Sequence, residues 1–139
     1  MENPRAIRSI MLGVGVSFLA FLAFEVFVLP VFAPQLTANI ADLKENYQAF
    51  SRLQLVENLF FAVLPGLVAG TLYGRRGLII GAAAGLVAAL ITASFLMLFI
   101  DARLTTDVVV RYWQDWIPRI LIVVVGSSIG GFIGAALKR

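Results

Sequence analysis

Residues 64–85 read LPGLVAGTLYGRRGLIIGAAAG, with a glycine at every fourth position on both sides of a pair of arginines. The glycines before the pair are Gly66, Gly70 and Gly74, and those after it are Gly77, Gly81 and Gly85. This spacing leaves a flat stripe along a helix, against which another helix backbone packs closely. The stretch therefore predicts two tightly packed helices joined at Arg75–Arg76. It leaves open whether the two stripes face each other or other helices.

A third series of the same kind, Gly126, Gly130 and Gly134, lies near the end of the chain. The three series together contain nine of the 12 glycines. We expect Gly70, Gly81 and Gly130 each to lie at a contact between helices, with little room for a side chain. A leucine or isoleucine at such a position is expected to force the helices apart.

The whole chain is unusually apolar. Of its 139 residues, 60% are hydrophobic and 14% are charged, and the mean hydropathy is +0.94. A soluble domain of this size leaves too much of its surface in water to accommodate that composition. The absence of cysteine and histidine from the sequence excludes disulfides, thiol catalysis and histidine-based chemistry. Because the sequence also lacks a nucleophile–base pair, a metal-ligand cluster and a phosphate loop, we expect neither an enzyme nor a bound cofactor or metal.

Four apolar runs predict an all-α membrane protein, because a spanning helix needs about 20 residues. The predicted membrane helices cover about 9–33, 55–74, 77–100 and 118–137 of a single transmembrane domain, 1–139. The two longer loops carry apolar residues at helical spacing together with most of the tyrosines and tryptophans. This pattern predicts two amphipathic helices at the membrane interface, at about 37–50 and 106–116.

Charge is distributed unevenly between the two predicted sides of the membrane. The side with the termini and Arg75–Arg76 carries six Lys and Arg residues and one acid, whereas the other carries five basic and six acidic residues. Because Lys and Arg concentrate in cytoplasmic segments, we expect a multi-pass protein of the plasma or inner membrane with both termini in the cytoplasm. The cytoplasmic segments are too short to bind nucleic acid. The expected partners are the lipid bilayer and other membrane subunits or further copies of the chain.

Residue size also differs between the two halves of the predicted bundle. All 12 glycines fall in the half near the termini, and most of the 11 phenylalanines fall in the other half. We therefore expect a bundle that is tight at one end and bulky at the other, where the rings either fill a wedge or border a cavity. Pro65 lies inside the second helix, where it removes a backbone hydrogen bond and predicts a kink, either a hinge or a static bend.

Glu25 is the one ionisable residue inside an apolar run. A carboxylate at that depth is costly, so we expect it to be protonated, paired or hydrated. The candidate intramembrane polar site combines Glu25 with Glu57, Asn58 and Arg119, which lie at the starts of the second and fourth helices. Three interpretations stay open: an internal pair or hydrogen bond, a proton- or cation-coupling acid, and a contact with another subunit.

Three segments also carry a resemblance: LPGLVAG (64–70), GRRG (74–77) and GSSIGGFIGAALKR (126–139). They resemble segments of small, glycine-rich prokaryotic membrane proteins of four helices, a group with no assigned function. The resemblance implies a fold of four transmembrane helices and implies no activity.

The sequence favours a structural role over transport. In the favoured interpretation the chain is a structural or accessory subunit of a membrane complex, or a homo-oligomer, packed through its glycine zippers. In the alternative it is a small proton- or cation-coupled transporter or channel that uses Glu25. The two interpretations differ in what the Glu25 side chain contacts.

Overall fold

A computed structural model describes residues 4–32, 47–97 and 106–138, and within these ranges the chain forms helices and no strands. The elements are α1 (Pro4–Ala23), a π-helical segment (Phe24–Val28), α2 (Leu29–Phe32), α3 (Tyr47–Tyr73), α4 (Gly77–Met97) and α5 (Thr106–Leu137). The all-α prediction is therefore confirmed for the described part of the chain.

Within the described ranges, three helical stretches are long and apolar enough to cross a membrane: Pro4–Val28, Gly77–Phe95 and Val109–Leu137. The apolar part of α3, Leu59–Tyr73, is shorter. These helices indicate a membrane protein, as predicted, but four crossings are not confirmed.

The helix boundaries differ from the prediction at α5. The expected interfacial helix at 106–116 and the expected membrane helix at 118–137 form one continuous helix that passes through Pro118. Pro118 lacks an N–H and leaves the carbonyl of Gln114 without its usual helical partner, but the hydrogen bonds on either side can carry the helix across. Most of the other expected interfacial helix, 37–50, lies outside the described residues, and residues 47–50 begin α3. Separate interfacial helices are not confirmed.

The turn between α3 and α4 is short and tightly held. Gly74 adopts φ +75°, a left-handed conformation that suits glycine and ends a helix. Its N–H donates to the carbonyl oxygen of Gly70 at 2.8 Å. Arg76 also has a positive φ of 48°, and its carbonyl oxygen accepts the first hydrogen bonds of α4. The Lys138 ammonium, from the end of α5, donates to the carbonyl oxygen of Leu72 at 2.5 Å and thereby joins α5 to the end of α3.

The described basic residues of the side with the termini lie at this same end of the bundle; they are Arg5, Arg8, Arg75, Arg76 and Lys138. Ala6 and Ile10 of α1 pack beside Tyr73 on a cluster formed by Ala69, Ile80 and Ala84. The start of α1, with Arg5 and Arg8, therefore lies near the Arg75–Arg76 turn. We call this the arginine end, and we call the opposite end, which carries Tyr112, Trp113 and Trp116 on α5, the aromatic end.

Small residues fill the interior of the bundle and large ones cover its outside. The buried apolar residues are mostly alanines, with Val14 and Ile80 as the larger members. Leu, Ile, Val and Phe side chains such as Leu19, Ile79 and Leu121 are more than half exposed. This arrangement is the one expected in lipid, where close backbone packing, rather than burial of large apolar groups, brings helices together.

Helix α5 lies in the groove between α3 and α4, and the glycine stripes line that groove. A Cβ built on Gly70 or on Gly77 meets the carbonyl oxygen of Gly131. A Cβ built on Gly66 or on Gly81 meets the carbonyl oxygen of Ser127. We call α3 and α4, joined at Arg75–Arg76, the hairpin. The glycine stripes of its two helices both pack against α5.

The third glycine series packs on a different surface. Cβ atoms built on Gly126, Gly130 and Gly134 meet α3 at Ala62, at the Val63 carbonyl and at the Leu67 carbonyl, respectively. On the adjoining face of α5, Ser127, Gly131 and Ala135 form a second row at the same spacing, and this row meets α4. One helix thus uses two neighbouring rows of small residues, one against α3 alone and one against both members of the hairpin.

Helix α1 packs chiefly on α3 and to a lesser extent on α4. Its closest approach is at Gly13, where an added Cβ would meet the carbonyl oxygen of Pro65 and lie 3.2 Å from the Cβ of Ala69. Pro65 is buried, and α3 continues through it without interruption. The glycine in α1 therefore faces the proline in α3, at the level where α3 lacks one internal hydrogen bond.

We predict that alanine substitutions at two helical glycines differ in their effect on stability. Gly131→Ala places a methyl group 2.8 Å from the Gly81 Cα and against the Gly77 carbonyl, so it should destabilise the bundle by about 1–3 kcal/mol through overpacking. Gly15→Ala is the matched control, because no described atom beyond its own stretch of helix lies within 4 Å of its added Cβ. Its better helix propensity should leave stability unchanged or raise it by up to about 1 kcal/mol.

Thermal unfolding in detergent, followed by circular dichroism, measures both variants against the unmodified chain. A Gly131→Ala protein as stable as the Gly15→Ala protein would contradict the backbone contact between α5 and the hairpin.

Candidate functional site at the aromatic end

Phenylalanine rings fill the space between the helices beyond the glycine contacts. Phe18 of α1 meets Phe95 of α4 edge to face, with ring centroids 5.3 Å apart. Phe61 of α3 is met in the same manner by Phe21 at 6.0 Å and by Phe24 at 5.7 Å. Edge-to-face geometry is the favoured arrangement for aromatic pairs at these distances. The rings therefore bridge α1 and the π-helical segment to α3 and α4.

A cavity of about 50 Å³ remains among these rings. It is bordered by α1, α3, α4 and α5, and its walls include Ser17, Phe21, Phe61, Thr92 and Trp116. The lining is mainly apolar, with the Ser17 and Thr92 side chains as its hydroxyl-bearing members. The volume suits a few water molecules or a small cation, not a drug-sized compound. The wedge and the cavity that the residue distribution suggested as alternatives occur together.

The α5 side of this end is built from an aromatic group joined to α4. The Tyr112 hydroxyl donates to the carbonyl oxygen of Ala93, near the end of α4, at 2.5 Å. The Tyr112 ring lies 5.9 Å from both Trp113 and Trp116, measured between ring centroids. The hydrogen bond therefore ties α5 to α4 at the aromatic end, as Lys138 ties α5 to α3 at the arginine end.

Arg119 is half-buried beside this aromatic group, with its guanidinium carbon 5.4 Å from the centre of the Trp116 ring. A guanidinium at that distance from an indole face makes a cation–π contact. Because Trp116 also borders the cavity, the positive charge of Arg119 lies one side chain away from it.

For the other predicted site residues, the structure describes only the position of the backbone. Glu25 lies in the π-helical segment Phe24–Val28, and Glu57 and Asn58 lie in α3 one turn before Phe61. The side chains of Glu25, Glu57 and Asn58 lie outside the described part of the structure, so the expected pairing of Glu25 with Arg119 or Asn58 stays a prediction. The contact between Phe24 and Phe61 does bring the two helix segments that carry these residues together beside the cavity.

Two features of this region were missed by the sequence reasoning. The first is the π-helical segment itself, a rare widening of the helix that occurs often at functional sites. The second is Ser127, which is fully buried and lies between Gly66 and Gly85. Within the described residues its hydroxyl oxygen has no hydrogen-bond partner. A search for any small residue at four-residue spacing, rather than for glycine alone, would have found the row formed by Ser127, Gly131 and Ala135.

The described residues contain no group of three His, Cys, Asp or Glu side chains arranged to hold a metal ion. The polar groups described nearest the cavity are the Ser17 and Thr92 hydroxyls in its walls and the Arg119 guanidinium beyond Trp116. No family model, curated protein or solved structure matches the chain.

Proposed function

We propose that the chain crosses the plasma or inner membrane four times. Both termini and the Arg75–Arg76 turn then lie in the cytoplasm. The clustering of described basic residues at the arginine end supports this orientation. The length of α3 supports a fourth crossing, since its 27 residues extend about 40 Å. The residues before Leu59 then occupy the interface and part of the bilayer.

The orientation predicts opposite labelling of two introduced cysteines. The chain has no native cysteine, so Arg75→Cys and Asp107→Cys each create a single thiol, at an exposed position. In sealed vesicles, a membrane-impermeant maleimide should modify the first from the cytoplasmic face and the second from the opposite face. Modification of both from the same face would overturn the proposed topology.

We further propose that the protein has a structural role, as an accessory subunit of a membrane assembly or as a homo-oligomer. The observation that carries this proposal is the backbone packing of Gly131 against Gly70, Gly77 and Gly81. Contacts this close leave no passage for a solute between the backbones of α3, α4 and α5 at the level of Gly131. A passage through the bundle would require these contacts to break.

The same contacts change the way in which the chain would meet a partner. The zipper glycines pack helices of the same chain, so they are not available to a second protein. The surfaces that remain are the apolar side chains exposed toward lipid, on α1 around Met11 and Leu19 and on α5 around Leu121 and Val125. We therefore propose assembly through side-chain faces rather than through the glycine series.

The structural role predicts that the chain is extracted from its membrane within a larger particle. In polymer-bounded lipid particles, the protein mass should exceed the 15.1 kDa of one chain. Two copies with different tags, expressed together, separate the two forms of the proposal, because mutual capture indicates a homo-oligomer and capture of other proteins alone indicates a heteromeric assembly. A single chain per particle with no co-purifying protein would contradict both forms.

A second function is favoured by a separate observation at the aromatic end. The cavity borders all four long helices, and the π-helical segment that contains Glu25 follows directly after the cavity-lining part of α1. A carboxyl group near a cavity with aromatic walls can bind a proton or a small cation. We propose coupled transport through Glu25 as the alternative to the structural role.

Glu25→Gln distinguishes the two functions. If the role is structural, the amide keeps most hydrogen bonds and the variant should assemble and unfold like the unmodified chain. If the role is transport, candidate cationic substrates should release protons from the unmodified chain, and the variant should release none while keeping its fold. Proton release is measured with a pH-sensitive dye in weakly buffered detergent solution. Substrate-driven release that disappears in the variant would overturn the structural role.

A further inference from the structure

A second cavity, of about 340 Å³, lies at the arginine end, away from the site described above. It is formed where the α3–α4 turn meets the last turns of α5. Its walls include Arg75 and Arg76 from the turn, Leu78 and Ile79 from α4, and Phe132 and Ala136 from α5. The cavity therefore joins two cationic side chains to an apolar surface.

The positive charge of this cavity is not neutralised by the described part of the protein. Arg75 and Arg76 are exposed, and no carboxylate among the described residues pairs with either of them. The described acids of α5, Asp107 and Asp115, precede Phe132 by 17 residues or more, a separation of at least about 25 Å along the helix. Lys138 is engaged with the Leu72 carbonyl oxygen. The two arginines thus present a local excess of positive charge.

The remaining walls are apolar and open to the surroundings of the bundle. Leu78, Ile79 and Phe132 are 53%, 66% and 60% exposed. Leu78 and Ile79 follow the arginines at the start of α4, and Phe132 lines the same cavity from α5. A molecule that satisfies the whole cavity must therefore carry a negative group at one end and a hydrocarbon portion at the other.

We propose that this cavity binds a phospholipid with an anionic headgroup. The phosphate and the headgroup charge meet the guanidinium groups of Arg75 and Arg76, which suit bidentate hydrogen bonding to phosphate oxygens. An acyl chain lies along Leu78, Ile79 and Phe132. Basic cavities between helices at a membrane surface bind anionic lipids by this combination of contacts. The site is independent of both functions proposed above.

The test compares retention of phosphatidylglycerol and phosphatidylcholine by the full chain, using native mass spectrometry in detergent. The unmodified protein should retain phosphatidylglycerol preferentially. Arg75→Gln and Arg76→Gln should each reduce that preference about fivefold, since each removes one cationic contact near the lipid surface. Arg8→Gln is the matched control, because it removes one exposed charge from the same end without changing the cavity, and it should leave the preference unchanged.

A second pair of variants tests the shape of the cavity at constant charge. Ala136→Phe fills the space between α4 and α5 and should abolish the preference, whereas Leu137→Phe, one residue further on and outside the cavity walls, should preserve it. Unfolding temperatures of all variants verify that the bundle is intact, and the arginine and alanine substitutions lie on exposed positions where folding tolerates them.

Three outcomes would overturn the proposal. Equal retention of the two lipids by the unmodified protein would show that the cavity does not select an anionic headgroup. An equal loss in Arg8→Gln would show diffuse attraction to the charged end rather than binding in the cavity. Displacement of phosphatidylglycerol by millimolar inorganic phosphate would show a site for a free anion instead of a lipid.

Discussion

The fold depends on the contact between the backbone of α5 at Gly131 and the backbones of α3 and α4. In lipid, helices gain little from hiding apolar side chains from water, so they are held by dispersion forces that weaken steeply with distance. Direct backbone contact maximises those forces, and it is possible only where side chains are absent or very small. Because Gly70, Gly77 and Gly81 all face Gly131, a displacement of α5 disturbs both members of the hairpin at once.

This tight contact also determines the character of the opposite end. Helices that touch backbone to backbone at one end require larger side chains wherever they diverge. Phe18, Phe21 and Phe61 supply that volume, and their edge-to-face packing leaves a small cavity rather than a solid core. The bundle thus has one end held by backbone contacts and another held by aromatic rings. The backbone of Glu25, in the segment Phe24–Val28, belongs by position to the second end.

Much of the architecture could be predicted because it depends on residue size and apolar length, which are visible in the sequence. The glycine spacing located the α3–α4 hairpin and the helices that approach one another, and the distribution of glycine and phenylalanine anticipated a tight end and a bulky end. The pairing of the stripes could not be predicted, because the spacing of glycines in one helix does not indicate which other helix packs against them. The packing alone shows that Ser127 and Gly131, and not the third glycine series, meet α4.

The site was less predictable for two physical reasons. A π-helical widening depends on how Phe24 and its neighbours pack across helices, and five residues carry no periodicity that reveals it. The continuation of α5 through Pro118 likewise depends on whether the surroundings satisfy the hydrogen bonding that the proline interrupts, which local sequence does not state. Glu25, in contrast, could be singled out by the cost of its charge, although its partner could not.

The position of α5 in the groove has a consequence for the order of assembly during synthesis. The hairpin of α3 and α4 leaves the ribosome before α5, so its glycine-lined groove first faces lipid, whose acyl chains must occupy it. Seating α5 then expels that lipid, and it is completed by bonds at both ends of the helix, from Tyr112 to Ala93 and from Lys138 to Leu72. The bundle therefore closes late, when α5 displaces the acyl chains from the groove between α3 and α4.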